Sequence, residues 1–275
     1  MNAIGVFDSG VGGVTVLRAL KQAFPCENFV YLGDTARLPY GTKSAGTIRK
    51  YLWQNVRFLS AFGVKGIVVA CNSASSVLDD VASGPVPLIG VVKPGAQAAL
   101  KVSHNRRVGV MATRATVKSQ VYVRSLHALA PETQVFQEAS PLLVPLVEEG
   151  WESSEVCRQV LSHYLLPLQE ARVDTLILGC THYPVLKDQI EGIMGPGVRV
   201  VDSAGATVER LQRAFDEEEM PKTTRRSEGK IHVWTTDDGF FFHQIANRLL
   251  MPYAIDMWQM ADLQHVPEEG SYEEL

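Results

Sequence analysis

Val64-Lys65-Gly66-Ile67-Val68-Val69-Ala70-Cys71 and Val173-Asp174-Thr175-Leu176-Ile177-Leu178-Gly179-Cys180 are the two stretches on which the fold turns. Each is a short run rich in Val, Ile and Leu, the pattern of a strand buried on both faces of a parallel sheet. Each ends on a cysteine, and they are offset by 109 residues. A near-equal offset of 104 residues separates Ile4-Gly5-Val6-Phe7 from Val108-Gly109-Val110-Met111. Phe29 to Leu32 and Thr133 to Phe136 fall in matching places between these runs. Two similar α/β halves account for the spacing.

Helix-period segments between the runs complete the alternation expected of βαβ units. Val14, Leu17, Leu20 and Phe24 share one helical face before Pro25, and a longer segment spans about Thr47 to Phe62. After residue 205 come a helical segment from Ala206 to Glu219, a polar surface loop from Lys222 to Glu228, a strand from Lys230 to Thr235 and a last helix from Asp238 to Leu250. The expected fold is therefore α/β, with two similar domains built on largely parallel sheets, pseudo-twofold related, and the active site in the cleft between them. Residues 1–95 plus 206–265 are assigned to the first domain, 96–205 to the second and 266–275 to a disordered acidic tail. In open parallel sheets ligands bind at the carboxyl ends of strands, so both cysteines belong at the functional edge.

Composition narrows the function. With 275 residues there is material for two domains, and 46% hydrophobic against 20% charged residues fits a globular protein. A net charge of −4 and short basic runs argue against nucleic acid as the main partner. No apolar stretch approaches the roughly 18 residues of a membrane span, and the N-terminus lacks the parts of a signal peptide, so a cytoplasmic location is expected. The four cysteines, 26, 71, 157 and 180, form no C-x-x-C pair and read as reduced thiols. Cys26 and Cys157 are assigned to packing or surface.

Cys71 and Cys180 each stand where a buried strand gives way to polar residues and a helix start. Backbone N–H groups there favour a thiolate below its free pKa of about 8.5. His182, two residues after Cys180, is a candidate proton partner, and Asp8, directly after its own strand, a second. Gly10, Gly12 and Gly13 allow close backbone approach to an anion, although their spacing matches neither a dinucleotide nor a P-loop fingerprint. Two thiols facing each other across a cleft can take a proton from one face of a carbon and return one on the other. A Cys-His thiol hydrolase would leave the second matched cysteine without a purpose. A zinc site formed by Cys71, Cys180 and His182 is a further alternative.

Asp8-Ser9-Gly10-x-Gly12-Gly13, Gly33-Asp34-Thr35-Ala36-Arg37-Leu38-Pro39-Tyr40-Gly41, Ala70-Cys71-Asn72-Ser73-Ala74 and Gly179-Cys180-Thr181-His182-Tyr183-Pro184 together resemble the glutamate racemases of the aspartate/glutamate racemase superfamily. The motifs keep that family's order, and the resemblance runs from about residue 4 to residue 250. It implies interconversion of L- and D-glutamate without cofactor or metal, supply of D-glutamate for peptidoglycan, and a homodimer. It also implies that Asp8 assists Cys71, that His182 assists Cys180, that Glu148 is the family's acidic catalytic residue on the second-domain side, and that Cys180 serves L-glutamate and Cys71 D-glutamate. Ser9, Pro39, Tyr40, Gly41, Asn72, Ser73, Thr116 and Thr181 match positions lining the substrate pocket, and Asp34 an acidic residue at its edge. Ser73 stands where the family usually has Thr. The N-terminal extension that accompanies activation by a cell-wall precursor in some members does not precede Met1, so that control is not expected. Racemisation of aspartate or a related acid is the nearest alternative within the same chemistry.

Overall fold

The computed structural model describes residues 3–78, 84–238 and 240–264. Among the described residues ten strands form two sheets, and every strand pair is parallel. The first sheet holds β1 (Ile4–Asp8), β2 (Phe29–Gly33), β3 (Gly66–Val69) and β4 (Leu88–Gly90). The second holds β5 (Arg107–Ala112), β6 (Gln134–Ala139), β7 (Thr175–Gly179) and β8 (Arg199–Asp202). The chain then returns to the first sheet with β9 (Ile231–Thr235) and β10 (Met257–Met260).

Strand order makes the internal repeat explicit. The first sheet runs β10-β9-β2-β1-β3-β4 and the second β6-β5-β7-β8. Removing β9 and β10 leaves the same order in both, with β5 in the place of β1 and β7 in the place of β3. The repeated apolar runs are the central strands, buried on both faces because helices cover each side.

Helix boundaries follow local capping. The helix Ala45–Ser60 starts two residues before the apolar period suggests, because the Ser44 hydroxyl accepts the Thr47 N–H at 3.3 Å. The helix Ser203–Asp216 likewise starts ahead of Ala206, because the Asp202 carboxylate accepts the Ala204 N–H at 3.0 Å. That helix packs against both Val14–Ala23 and Val92–Val102, so it bridges the two halves. The loop from Lys222 to Glu228 is largely exposed, as its composition predicts. The Thr223 N–H nevertheless donates to Glu27 at 2.8 Å, and the same carboxylate pairs with buried Lys65 at 2.6 Å, which fastens the loop to the first half. The acidic tail predicted for 266–275 lies outside the described residues.

Candidate active site

Asp8 closes β1, Cys71 lies two residues beyond β3, and Cys180 directly follows β7. The repeat therefore sets both thiols at carboxyl ends of corresponding strands, where parallel sheets present their ligands. Both are buried, at 5% and 6% exposure, and both line one small cavity of about 20 Å³ between the halves. Ser9, Pro39, Tyr40, Gly41, Asn72 and Ser73 line it from the first half. Thr113, Val144, Thr181 and His182 line it from the second. A wider groove of about 610 Å³ near Leu88 to Pro94 lies elsewhere and is lined by neither thiol.

The halves approach closely here because glycine removes the obstacle. A Cβ on Gly12 would sit 2.4 Å from Thr181 Oγ1 and 2.6 Å from His182 Nδ1. One on Gly41 would sit 2.6 Å from Thr113 Cβ. Hydrogen bonds cross the same seam, with Thr181 Oγ1 donating to Asp8 Oδ1 at 3.3 Å and the Ser73 and Thr113 hydroxyls 2.9 Å apart. Gly12→Ala must displace Thr181 and His182. It is expected to lower turnover by roughly 100-fold, the scale of a catalytic group misplaced by about 1 Å, while circular dichroism remains that of a folded protein. Unaltered turnover would show that this close approach does not position the site.

Each thiol has its own partners. The Cys71 thiol donates to Ser9 Oγ at 3.6 Å. Burial, reinforced by the neighbouring Asp8 charge, pushes this thiol up to about 12, against the opposing pull of the Ala74 N–H and Ser9. This reverses the sequence expectation of a thiolate drawn down by helix N–H groups, because desolvation of the charged sulfur outweighs those donors. Asp8 is itself fully buried, and desolvation raises its carboxyl above the usual range although His182, the Gly10 and Gly13 N–H groups and Thr181 all oppose it.

Cys180 faces His182, with Sγ 3.7 Å from Nδ1, while Nε2 lies 3.1 Å from Glu148 Oε1. Burial alone would lower the imidazole's pKa. Hydrogen bonds and charge from Cys180 and Glu148 overcome it and hold the ring well above its ordinary value. An imidazolium satisfies both contacts as a donor. Glu148 ends the helix Leu143–Glu148 and reaches inward, whereas the adjacent Glu149 is exposed.

Of the residues matched by resemblance, Asp8, Asp34, Thr116 and Glu148 do not line the cavity. Asp34 is fully buried and accepts Arg37 Nε at 2.8 Å, the Tyr40 hydroxyl, and Thr236 Oγ1 at 3.0 Å. Its carboxylate is consumed holding Tyr40 in place. Thr116 stands behind Thr113, their hydroxyls 3.0 Å apart. Thr113 and Val144 also line the cavity. The internal repeat points to Thr113, since adding the 104-residue offset to Ser9 lands there. Val144 carries no comparable signal.

Cys157 is core packing within the helix Glu155–Glu170, and Cys26 is partly buried in a turn. Among the described residues no group of three or more His, Cys, Asp or Glu side chains is placed to hold a metal ion. No described helix is long and apolar enough to cross a membrane.

Residues 4–211 match the Asp/Glu/Hydantoin racemase family. A glutamate racemase of Sulfurihydrogenibium sp. is 43% identical over 263 residues, covering 94% of this chain and 98% of the relative. Among solved structures, a glutamate racemase isoform of Bacillus anthracis superposes with a TM-score of 0.89 at 36% identity, covering 95% of this chain and 98% of that one. The glutamate racemase of Francisella tularensis, solved in complex with D-glutamate, gives 0.87 at 33% identity with the same coverages.

Proposed function

Since the chain belongs to the Asp/Glu/Hydantoin racemase family and is an amino-acid racemase, we propose that it interconverts L- and D-glutamate by passing the α-proton between Cys180 and Cys71, without an organic cofactor or metal. The observation that carries this reading is the pair of buried thiols on equivalent strand ends, lining one cavity, with His182 against Cys180 and the Asp8 charge near Cys71.

From L-glutamate, Cys180 as thiolate takes the α-proton, and Cys71 as thiol delivers its own to the opposite face. Cys180 is left as thiol and Cys71 as thiolate, the state needed for the reverse reaction, so protons balance over the cycle. Burial keeps Cys71 protonated at neutral pH, which suits it to deliver the proton in this direction. From D-glutamate it must ionise against burial first and the Asp8 charge second, and a substrate ammonium group bound near this thiol favours that ionisation. On the other side His182 donates Nδ1–H to the Cys180 sulfur and is held from behind by Glu148. The Asn72 amide and one of the paired Ser73 and Thr113 hydroxyls line the cavity as donors for carboxylate oxygens, while the Thr181 hydroxyl gives its proton to Asp8. Donors aimed at the α-carboxylate stabilise the carbanion-like transition state as charge moves onto it.

The relatives' names favour glutamate over aspartate, and family resemblance supports a homodimer and the supply of D-glutamate to peptidoglycan in the cytoplasm. A chiral assay of the purified protein with each enantiomer of glutamate and aspartate tests the proposal. Racemisation of both glutamate enantiomers with no pyridoxal phosphate added, unaffected by chelators, is expected. Activity confined to aspartate, dependent on added cofactor or abolished by chelation would overturn it.

A further inference from the structure

Tyr122, in the helix Val121–Leu129 of the second half, is fully buried and belongs to none of the four motifs. Its ring lies against the strand end that carries Cys180. A Cβ on Gly179, the residue before Cys180, would lie 3.2 Å from Tyr122 Cε2. On the other side the Tyr122 hydroxyl donates to Oδ1 of Asn72, the residue after Cys71, at 2.6 Å.

That hydrogen bond decides what Asn72 offers the cavity. A primary amide presents an acceptor on one side and two donors on the other, and turning it over exchanges them. Burial keeps the Tyr122 hydroxyl protonated, and its proton claims the amide oxygen. Asn72 Nδ2 is buried without a protein hydrogen-bond partner, in a side chain only 2% exposed that lines the cavity. A buried N–H group left unsatisfied is costly, and a carboxylate is the acceptor that rewards it most.

We propose that Tyr122 is a positioning residue that locks the Asn72 amide with its N–H groups toward the cavity, where they hold a carboxylate of the substrate. The assignment rests on the cavity being the glutamate site. Tyr122→Phe keeps the ring and removes only the hydroxyl. Its kcat/KM for both enantiomers is expected to fall roughly ten-fold, the scale of one buried hydrogen bond. In an Asn72→Ala background the same substitution should produce no further loss, because the group it orients is gone. Equal losses in both backgrounds would mean that Tyr122 acts only through packing, and would overturn the assignment. Asn72→Asp provides a check that needs no change at Tyr122, since it preserves the acceptor for the hydroxyl and removes the cavity-facing donor. It should bind glutamate at least as weakly as Asn72→Ala by calorimetry, and wild-type affinity would also overturn the proposal. Wild-type racemisation of glutamate, measured in the same series, tests the identity of the site separately.

Discussion

Cys71→Ser and Cys180→Ser are each expected to lose racemisation by roughly 1,000-fold or more, within the range that a positioned acid or base contributes. Serine is close to cysteine in size, but its hydroxyl ionises far less readily than a thiol. Neither removing the α-proton nor accepting the role of conjugate acid can then proceed at neutral pH. Both variants should fail because a complete inversion uses both groups, one on each face. The two sites are buried and similarly placed at 5% and 6% exposure, so neither variant should unfold the protein, and circular dichroism and glutamate binding should stay near wild type. Near-normal racemisation by either variant would mean that one base performs both transfers.

His182→Asn should lose roughly 100-fold in release of the α-proton from L-glutamate. Asparagine can still form a hydrogen bond, but it cannot carry the positive charge that Cys180 and Glu148 sustain on the imidazole. Steady-state rates in the two directions fall together because the equilibrium constant ties them, so they do not locate the defect. The primary isotope effect of α-deuterated glutamate, measured from each enantiomer separately, does. It should rise more from L-glutamate than from D-glutamate, since His182 contacts Cys180 and removal of the proton by that thiol becomes more rate-limiting. Wild-type rates and isotope effects in both directions would remove His182 from the proton path.

The central strands were legible in the sequence because burial on both faces demands unbroken apolar runs, as in Gly66–Val69 and Thr175–Gly179. The edge strands Leu88–Gly90, Arg199–Asp202 and Met257–Met260 were not. Leu88–Gly90 is only three residues long, and Arg199–Asp202 begins on an exposed arginine, so neither carries that signature. At the site, the thiols and their partners could be read because strand ends in parallel sheets converge on ligands. What the packing of two halves brings together could not. Tyr122 reads as an ordinary apolar-face residue of its helix, yet its hydroxyl crosses to Asn72. Asp34 shares a motif with Tyr40, and only the fold shows its carboxylate turned toward Arg37 and Tyr40 instead of the cavity. The upward shift of Cys71 depends in the same way on burial beside Asp8, a tertiary effect that outweighs the local helix N–H groups.

Racemisation in deuterium oxide, sampled before much product accumulates, tests the two-thiol account most directly. Starting from L-glutamate, the account predicts that the D-glutamate formed carries deuterium at the α-carbon from the first turnovers, because its proton comes from the solvent-exchanged Cys71 thiol. The remaining L-glutamate should keep its original proton over the same interval, and the mirror result should hold from D-glutamate. Product that retains the substrate's own α-proton, or deuterium appearing equally early in recovered substrate and product, would contradict a separate base on each face.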